Sequence, residues 1–197
     1  MATGRPHNTD GRIARGERTR EAIVAAHTAL VVEGVLRPTG KVIAERAGVS
    51  LRTLWSNFRD LEALLVETGQ HWLDADAELR VDIDPDQPLE VRLDAYCAMR
   101  VARLEQLAPA ARSGALAEPF SPALQAARRE HVQRVQHDAD TVFAREVDAA
   151  GDRGEFLLKE LFLVSSWPAW ASLRDDFGLD VEEAAAIMRD ALIRLLT

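Results

Sequence analysis

Residues 50–57, SLRTLWSN, hold the densest set of groups able to bond a polyanion. Ser50, Arg52, Thr53, Ser56 and Asn57 bring hydroxyl, guanidinium and amide groups to one short stretch. Such groups donate to phosphate oxygens and reach the edges of bases. Val42, Ile43, Val49, Leu54 and Phe58 are spaced to bury the opposite side. The elements that must position them are two short helices. Residues 41–46 suit the first. Ala47, Gly48 and Val49 make a tight turn, because Gly48 can take the left-handed conformation that ends a helix. Ser50 then caps a second helix over residues 51–57 through its hydroxyl. Two short helices joined by a Gly-containing turn form a helix-turn-helix. The pattern alone fits an ordinary helical hairpin with a polar face equally well.

Several positions in register point further. Thr39 leads the first helix, Ile43-Ala44 sit within it, and Ala47-Gly48-Val49-Ser50 follow. Thr53-Leu54-Trp55, Phe58 and Asp60 complete the series, with Ala22, Ile23, Ala26 and Gly34 in the preceding segment. Residues 15–75 thereby resemble the DNA-binding domain of TetR-family transcriptional regulators. Three positions depart from the family pattern. Trp55 replaces a Tyr, so an indole N–H stands where a phenol would donate. Asn57 replaces a His, and Leu61 stands where a Lys is frequent. The resemblance implies that Thr39, Gly40, Lys41, Ser50, Leu51, Arg52, Thr53, Trp55, Ser56, Asn57 and Arg59 contact DNA. Thr39, Lys41, Thr53, Trp55 and Asn57 are expected on phosphates, and Leu51 and Arg52 on base edges.

The remaining chain reads as helices. Residues 1–14 are polar and Gly-rich, a flexible arm whose Arg5 and Arg12, with Arg15 just beyond, can reach a phosphate backbone. A helix is expected over residues 16–33, with Ile23, Ala26, His27, Leu30 and Val31 on one face. A longer helix starts at Asp60 and ends before VDIDPDQP, residues 81–88, the clearest break in the chain. Pro88 suits the first turn of a helix reaching Leu107. Residues 108–120, rich in Ala, Pro and Gly, are expected to form an irregular helix or loop. Ser121-Pro122 reads as cap and first residue of a helix to Ala149. Residues 155–173 are apolar on nearly every face, and Asp180 with Glu183 caps a last helix. A helix apolar all round must be covered all round. The last two helices are therefore dimerisation candidates, through Phe156, Leu161, Phe162, Val164, Trp170, Met188, Leu192 and Leu195. This agrees with the resemblance, since TetR-like proteins pair through their last two helices.

Charge is uneven. Residues 1–60 hold 10 Lys+Arg against 6 Asp+Glu, and residues 61–197 hold 14 against 26. The net −8 thus divides into +4 and −12. A basic amino-terminal segment on an acidic body fits a localised nucleic-acid-binding head. The single cysteine, Cys97, excludes an intrachain disulfide and suits a reducing compartment. No apolar run in the first twenty residues resembles a secretory signal, and the most apolar stretch contains Pro168. A cytoplasmic protein without a membrane span is expected.

No Gly-rich phosphate loop, HExxH or G-x-S-x-G motif is present, so the chain is not expected to be an enzyme. His137 and Asp140 are too few for a metal site, and no cofactor is expected. Arg100, His131 and Asp138 lie on or beside apolar stripes. An internal Arg100–Asp138 ion pair accounts for them. So does an apolar ligand pocket with a few convergent polar groups. Its expected walls are Trp72, Tyr96, Met99, Arg100, Phe120, His131, Val135, Phe143 and Trp167. Arg100 would suit an acidic or carbonyl-bearing ligand.

The resulting expectation is an all-α chain in three parts: an arm (1–14), a helix-turn-helix DNA-binding domain (15–62) and a helical ligand-binding and dimerisation domain (63–197). It would act as a homodimeric repressor on a double-stranded operator, released by a small molecule. A helical carrier or enzyme, or a protein-binding adaptor, that keeps a head of this shape is the alternative.

Overall fold

The computed structural model describes residues 9–197, which form ten α-helices and no strand. These are α1 (Thr9–Val32), α2 (Gly40–Arg46), α3 (Leu51–Asn57), α4 (Leu61–Glu78) and α5 (Leu89–Ala115). α6 (Pro122–Val142), α7 (Ala144–Ala149), α8 (Gly154–Val164), α9 (Trp167–Ala171) and α10 (Val181–Leu196) follow. No helix among the described residues is long and apolar enough to cross a membrane.

Two separate apolar clusters divide the molecule. The head core joins Ile23, Val24 and Leu30 of α1 to Ile43 of α2, Leu54 of α3, Phe58 just after α3, and Leu64 of α4. Each such side chain, fully buried, contributes roughly 1.5–3 kcal/mol relative to exposure. Arg20 fastens the head from outside. It lies 4.2 Å over the Phe58 ring, donates to the Asn57 carbonyl and pairs with Glu67 of α4. The body core joins Leu93, Tyr96 and Leu104 of α5 to Phe143, Leu161, Trp170, Met188 and Leu192. Helix α4 serves both halves, giving Leu64 to the head core and Asp76 to an ion cluster in the body.

Arg103, Asp76 and Asp138 of that cluster are buried, and Arg80 closes it from the surface. Arg103 grips Asp76 with two hydrogen bonds of 2.8 and 2.6 Å and reaches Asp138 at 2.8 Å. Arg80 donates to the other Asp138 oxygen at 2.8 Å. Helices α4, α5 and α6 are thereby locked at one point. A buried charge is tolerated only when paired and hydrogen-bonded, and here each carboxylate oxygen has a donor.

Several expected boundaries change. α1 begins at Thr9, so residues 9–14 of the expected arm are helical. Gly11 and Gly16 each cost roughly 1 kcal/mol of helix propensity, which is too little to stop the helix. Arg5 lies outside the described residues. α5 runs through Pro109 to Ala115, so most of residues 108–120 is regular helix, and only Glu118–Phe120 is a 3-10 turn. The expected helix over 122–149 breaks at Phe143, which leaves helical geometry and is fully buried. It packs edge-on against Tyr96, with centroids 5.1 Å apart. The apolar run breaks between α8 and α9 at Ser165-Ser166. Pro168 has no N–H to offer the Val164 carbonyl, so an uninterrupted helix would lose that bond.

Candidate nucleic-acid interface and body cavity

The side chains of Thr39 and Ser50 set up the head. Thr39 accepts from the Val42 N–H at 3.4 Å and so caps α2. Ser50 accepts from the Thr53 N–H at 3.0 Å and caps α3. Gly48, at φ 67°, makes the turn between them in the region that L side chains avoid. Ile43, Leu54 and Phe58 point into the core as expected. Val42 does not; it is exposed, and Ala44 takes the buried position beside Ile43.

The opposite face carries the expected contact residues at the surface. Thr39, Lys41, Ser50, Leu51, Arg52, Trp55, Ser56 and Arg59 are exposed, and Gly40, Thr53 and Asn57 are half-buried. Some of these groups are already engaged. The Ser50 and Thr53 hydroxyls lie 2.8 Å apart, Ser56 donates to the Arg52 carbonyl, and the Asn57 amide donates to the Thr53 carbonyl. Arg59 pairs with Asp60 at 2.7 Å. Among the described residues Arg52 has no ion-pair partner. Gly40 has a role that its spacing does not reveal. A Cβ there would meet the Trp55 ring at 2.5 Å, so the indole approaches the start of α2 as closely as only Gly allows.

The body holds a cavity of about 390 Å³ between α4, α5, α6 and the α8–α9 break. Of the nine expected wall residues it brings together Trp72, Arg100, His131, Val135 and Trp167. The other four lie elsewhere. Tyr96 and Phe143 face each other in the core, and the Tyr96 hydroxyl bonds Ser165 at 3.1 Å. Met99 is buried and its sulfur accepts from the Val81 N–H. Phe120 is exposed and borders a second cavity, of about 420 Å³, between head and body. Leu73, Leu104, Leu107, Phe162 and Ser166 are walls that sequence spacing missed.

The expected Arg100–Asp138 pair does not form; Arg103 takes Asp138 instead. Arg100 donates through Nε and Nη2 to the Ser165 carbonyl at 3.2 and 2.7 Å. Its Nη1 is buried without a partner, as is His131 Nδ1. Burial pushes the His131 imidazole down to about 4, with Asp76 opposing and Arg100, Arg103 and Arg134 adding to the fall. His27, beside the second cavity, is likewise pushed down to about 4 by burial. The Cys97 thiol is pushed up to about 11 by burial, which removes it from thiolate chemistry.

Of the expected dimer residues, Leu161, Trp170, Met188 and Leu192 are buried within the chain's own core and have no surface to offer a partner. Phe162, Val164 and Leu195 are half-buried, and Phe156 is 63% exposed. Leu163, 64% exposed, and Ile187 join it on the outer surfaces of α8 and α10.

No family model matches the chain, and no curated protein matches it. A solved structure described as a transcriptional regulator from Rhodococcus sp. Rha1 is similar to it. The TM-score is 0.61 over 92% of this chain and 95% of that one, at 16% sequence identity. The two chains therefore share a fold along nearly their whole lengths.

Proposed function

We propose that this chain is a DNA-binding transcriptional regulator of the TetR type, working as a homodimeric repressor that a small molecule releases from its operator. The observation that carries the reading is the outer face of α3. It presents Arg52 without an internal carboxylate, between exposed Ser50, Leu51, Trp55 and Ser56, on a helix fixed by a Ser50 cap. Arg52 and Leu51 stand near the start of that helix, where a recognition helix contacts base edges. The fold shared with a protein described as a transcriptional regulator supports the same reading.

Two heads must stand one DNA turn apart, roughly 34–36 Å, to enter successive major grooves. Exposed Phe156, Leu163 and Ile187 support pairing through α8 and α10. The connection to the body runs through α4 and through two hydrogen bonds. The Ser113 hydroxyl donates to the Leu36 carbonyl at 2.8 Å, and the Ser121 hydroxyl donates to Glu62 at 2.5 Å. A ligand acts only by binding better to the form whose heads are wrongly spaced. Gel-shift with the DNA flanking the chain's own gene tests the reading. Retarded DNA is expected with wild type and none with the Arg52→Ala, Thr53→Ala double variant. Equal retardation by both would remove α3 from DNA binding. No retardation by wild type would favour a carrier.

A further inference from the structure

The cavity between α4, α5 and α6 has apolar walls, including Trp72, Leu104 and Trp167, and one cation among them that has no carboxylate partner. That cation is Arg100, only 2% exposed. Its two contacts are to one neutral carbonyl, that of Ser165, and Nη1 is left with nothing. A guanidinium stays charged in a protein. Its unmet N–H groups are therefore a standing cost, which an acceptor placed in the cavity removes.

Charge around the cavity wall says which acceptor. Three guanidiniums, Arg80, Arg100 and Arg103, gather near two carboxylates, Asp76 and Asp138. The carboxylates are spent on Arg80 and Arg103, so the cluster carries one positive charge more than it neutralises. His131, beside Asp76 with Nδ1 at 3.9 Å, is held neutral by its surroundings and adds none. At the cavity rim Arg128 is matched by Glu118 at 3.1 Å, so the imbalance belongs to Arg100.

We propose that this cavity takes a small monoanion with an apolar body, a carboxylate in the simplest case, whose head accepts from Arg100. The assignment rests on the reading above that a small molecule releases the operator, and it places that molecule in this cavity. It adds the ligand's charge and the residue that reads it. The neutral His131 imidazole, which also borders the cavity, supplies a second polar group on that wall. A volume of about 390 Å³ suits one small molecule, at the low end of ligand sites, which run from roughly 300 to 1,000 Å³. A buried charge-assisted hydrogen bond discriminates strongly, since an uncharged isostere leaves the cation as it was.

Trp72 and Trp167 in the walls give a readout that needs no DNA. Full-length protein is titrated, by fluorescence and by calorimetry, with decanoate against decanol and with phenylacetate against phenylethanol. At least one acid should bind on the order of tenfold more tightly than its alcohol or better. In Arg100→Met the two should bind alike. Should that variant fail to fold, Arg100→Gln, which keeps a donor for Ser165 but no charge, takes its place with the same expectation. Three results would overturn the assignment: acid and alcohol equal in wild type, neither pair binding at all, or the acid preference surviving loss of the charge. An acid that binds with the expected preference yet leaves the operator complex intact refutes induced release and leaves the anion site standing.

Discussion

Ser121 makes two contacts with one hydroxyl: it accepts from the Leu124 N–H at 3.2 Å, capping α6, and donates to Glu62 at 2.5 Å. Glu62 is in the first turn of α4, the helix that leaves the head. Leu124, one turn into α6, borders both the body cavity and the cavity between head and body. Any ligand that moves the start of α6 therefore moves a group bonded to the head.

Glu62→Ala removes the contact and leaves the Ser121 cap intact. Stability should fall by no more than about 1 kcal/mol, the net worth of one hydrogen bond. The ligand concentration needed for operator release should shift severalfold, while affinity for the ligand itself holds. An unchanged release curve in gel-shift would show that Ser121–Glu62 carries no signal.

Gly40→Ala tests the seat of Trp55. The new Cβ would stand 2.5 Å from the ring, so the indole must turn outward. Ala favours the helix by roughly 1 kcal/mol over Gly, which offsets part of the lost packing. The melting temperature should stay within a few degrees. Operator affinity should fall by about tenfold, because in the proposed complex a displaced indole would no longer reach the phosphate expected of Trp55. Full affinity in this variant would make the Gly40–Trp55 contact irrelevant to DNA.

The helix caps were legible in the sequence because a cap is local. Thr39, Ser50, Asp60, Ser121 and Asp180 each accept from an N–H three residues on, and a hydroxyl or carboxylate before an apolar-periodic run is enough to find them. The Asp180–Glu183 box forms in full. What was not legible is long-range. Arg103 meets partners 27 and 35 residues away, and nothing in the spacing marks it over Arg100, one turn earlier. Tyr96 and Phe143 fit an expected pocket wall by position, yet they fill the core because the break at Phe143 turns its ring toward Tyr96. A break of that kind carries no Gly or Pro signal.

Asp76→Asn should be severely destabilising. Asp76 and Arg103 are both almost fully buried and doubly bonded. Removing one partner of a buried pair costs roughly 3–5 kcal/mol, because the other charge is left behind. Chemical denaturation should show that loss. Replacing the two together, Asp76→Leu with Arg103→Met, should recover much of it. A loss under about 1 kcal/mol in Asp76→Asn would mean that Asp138 alone satisfies Arg103.

The mass in solution tests the pairing of α8 and α10. Light scattering at micromolar concentration should return twice 21.8 kDa. Phe156→Glu with Leu163→Glu places two charges on the exposed surface of α8 and should return the monomer with its helix content kept. Both side chains are mostly in solvent within one chain, so their loss removes little internal packing. A wild-type monomer would leave no symmetric pair of heads to meet an operator.

His27 should make the head lose stability in mild acid. Its ring is only 2% exposed and both nitrogens lack hydrogen-bond partners, and burial pushes its pKa from 6.5 down to about 4. The folded chain therefore holds it neutral, while the unfolded chain protonates it below 6.5. Stability from this group is complete above pH 6.5, falls as pH drops from 6.5 toward 4, and levels off below that. Within the window the slope approaches about 1.4 kcal/mol per pH unit. His131, pushed down to about 4 as well, adds to the slope in the same direction. The carboxylates held low by arginine, Glu146 with Arg92 among them, lose their contribution only below 4.5. Urea midpoints at pH 7, 6 and 5 isolate the histidines. His27→Phe should flatten the profile by about half across that range, leaving the part that His131 supplies. A profile identical to wild type would mean that His27 is protonated in the fold.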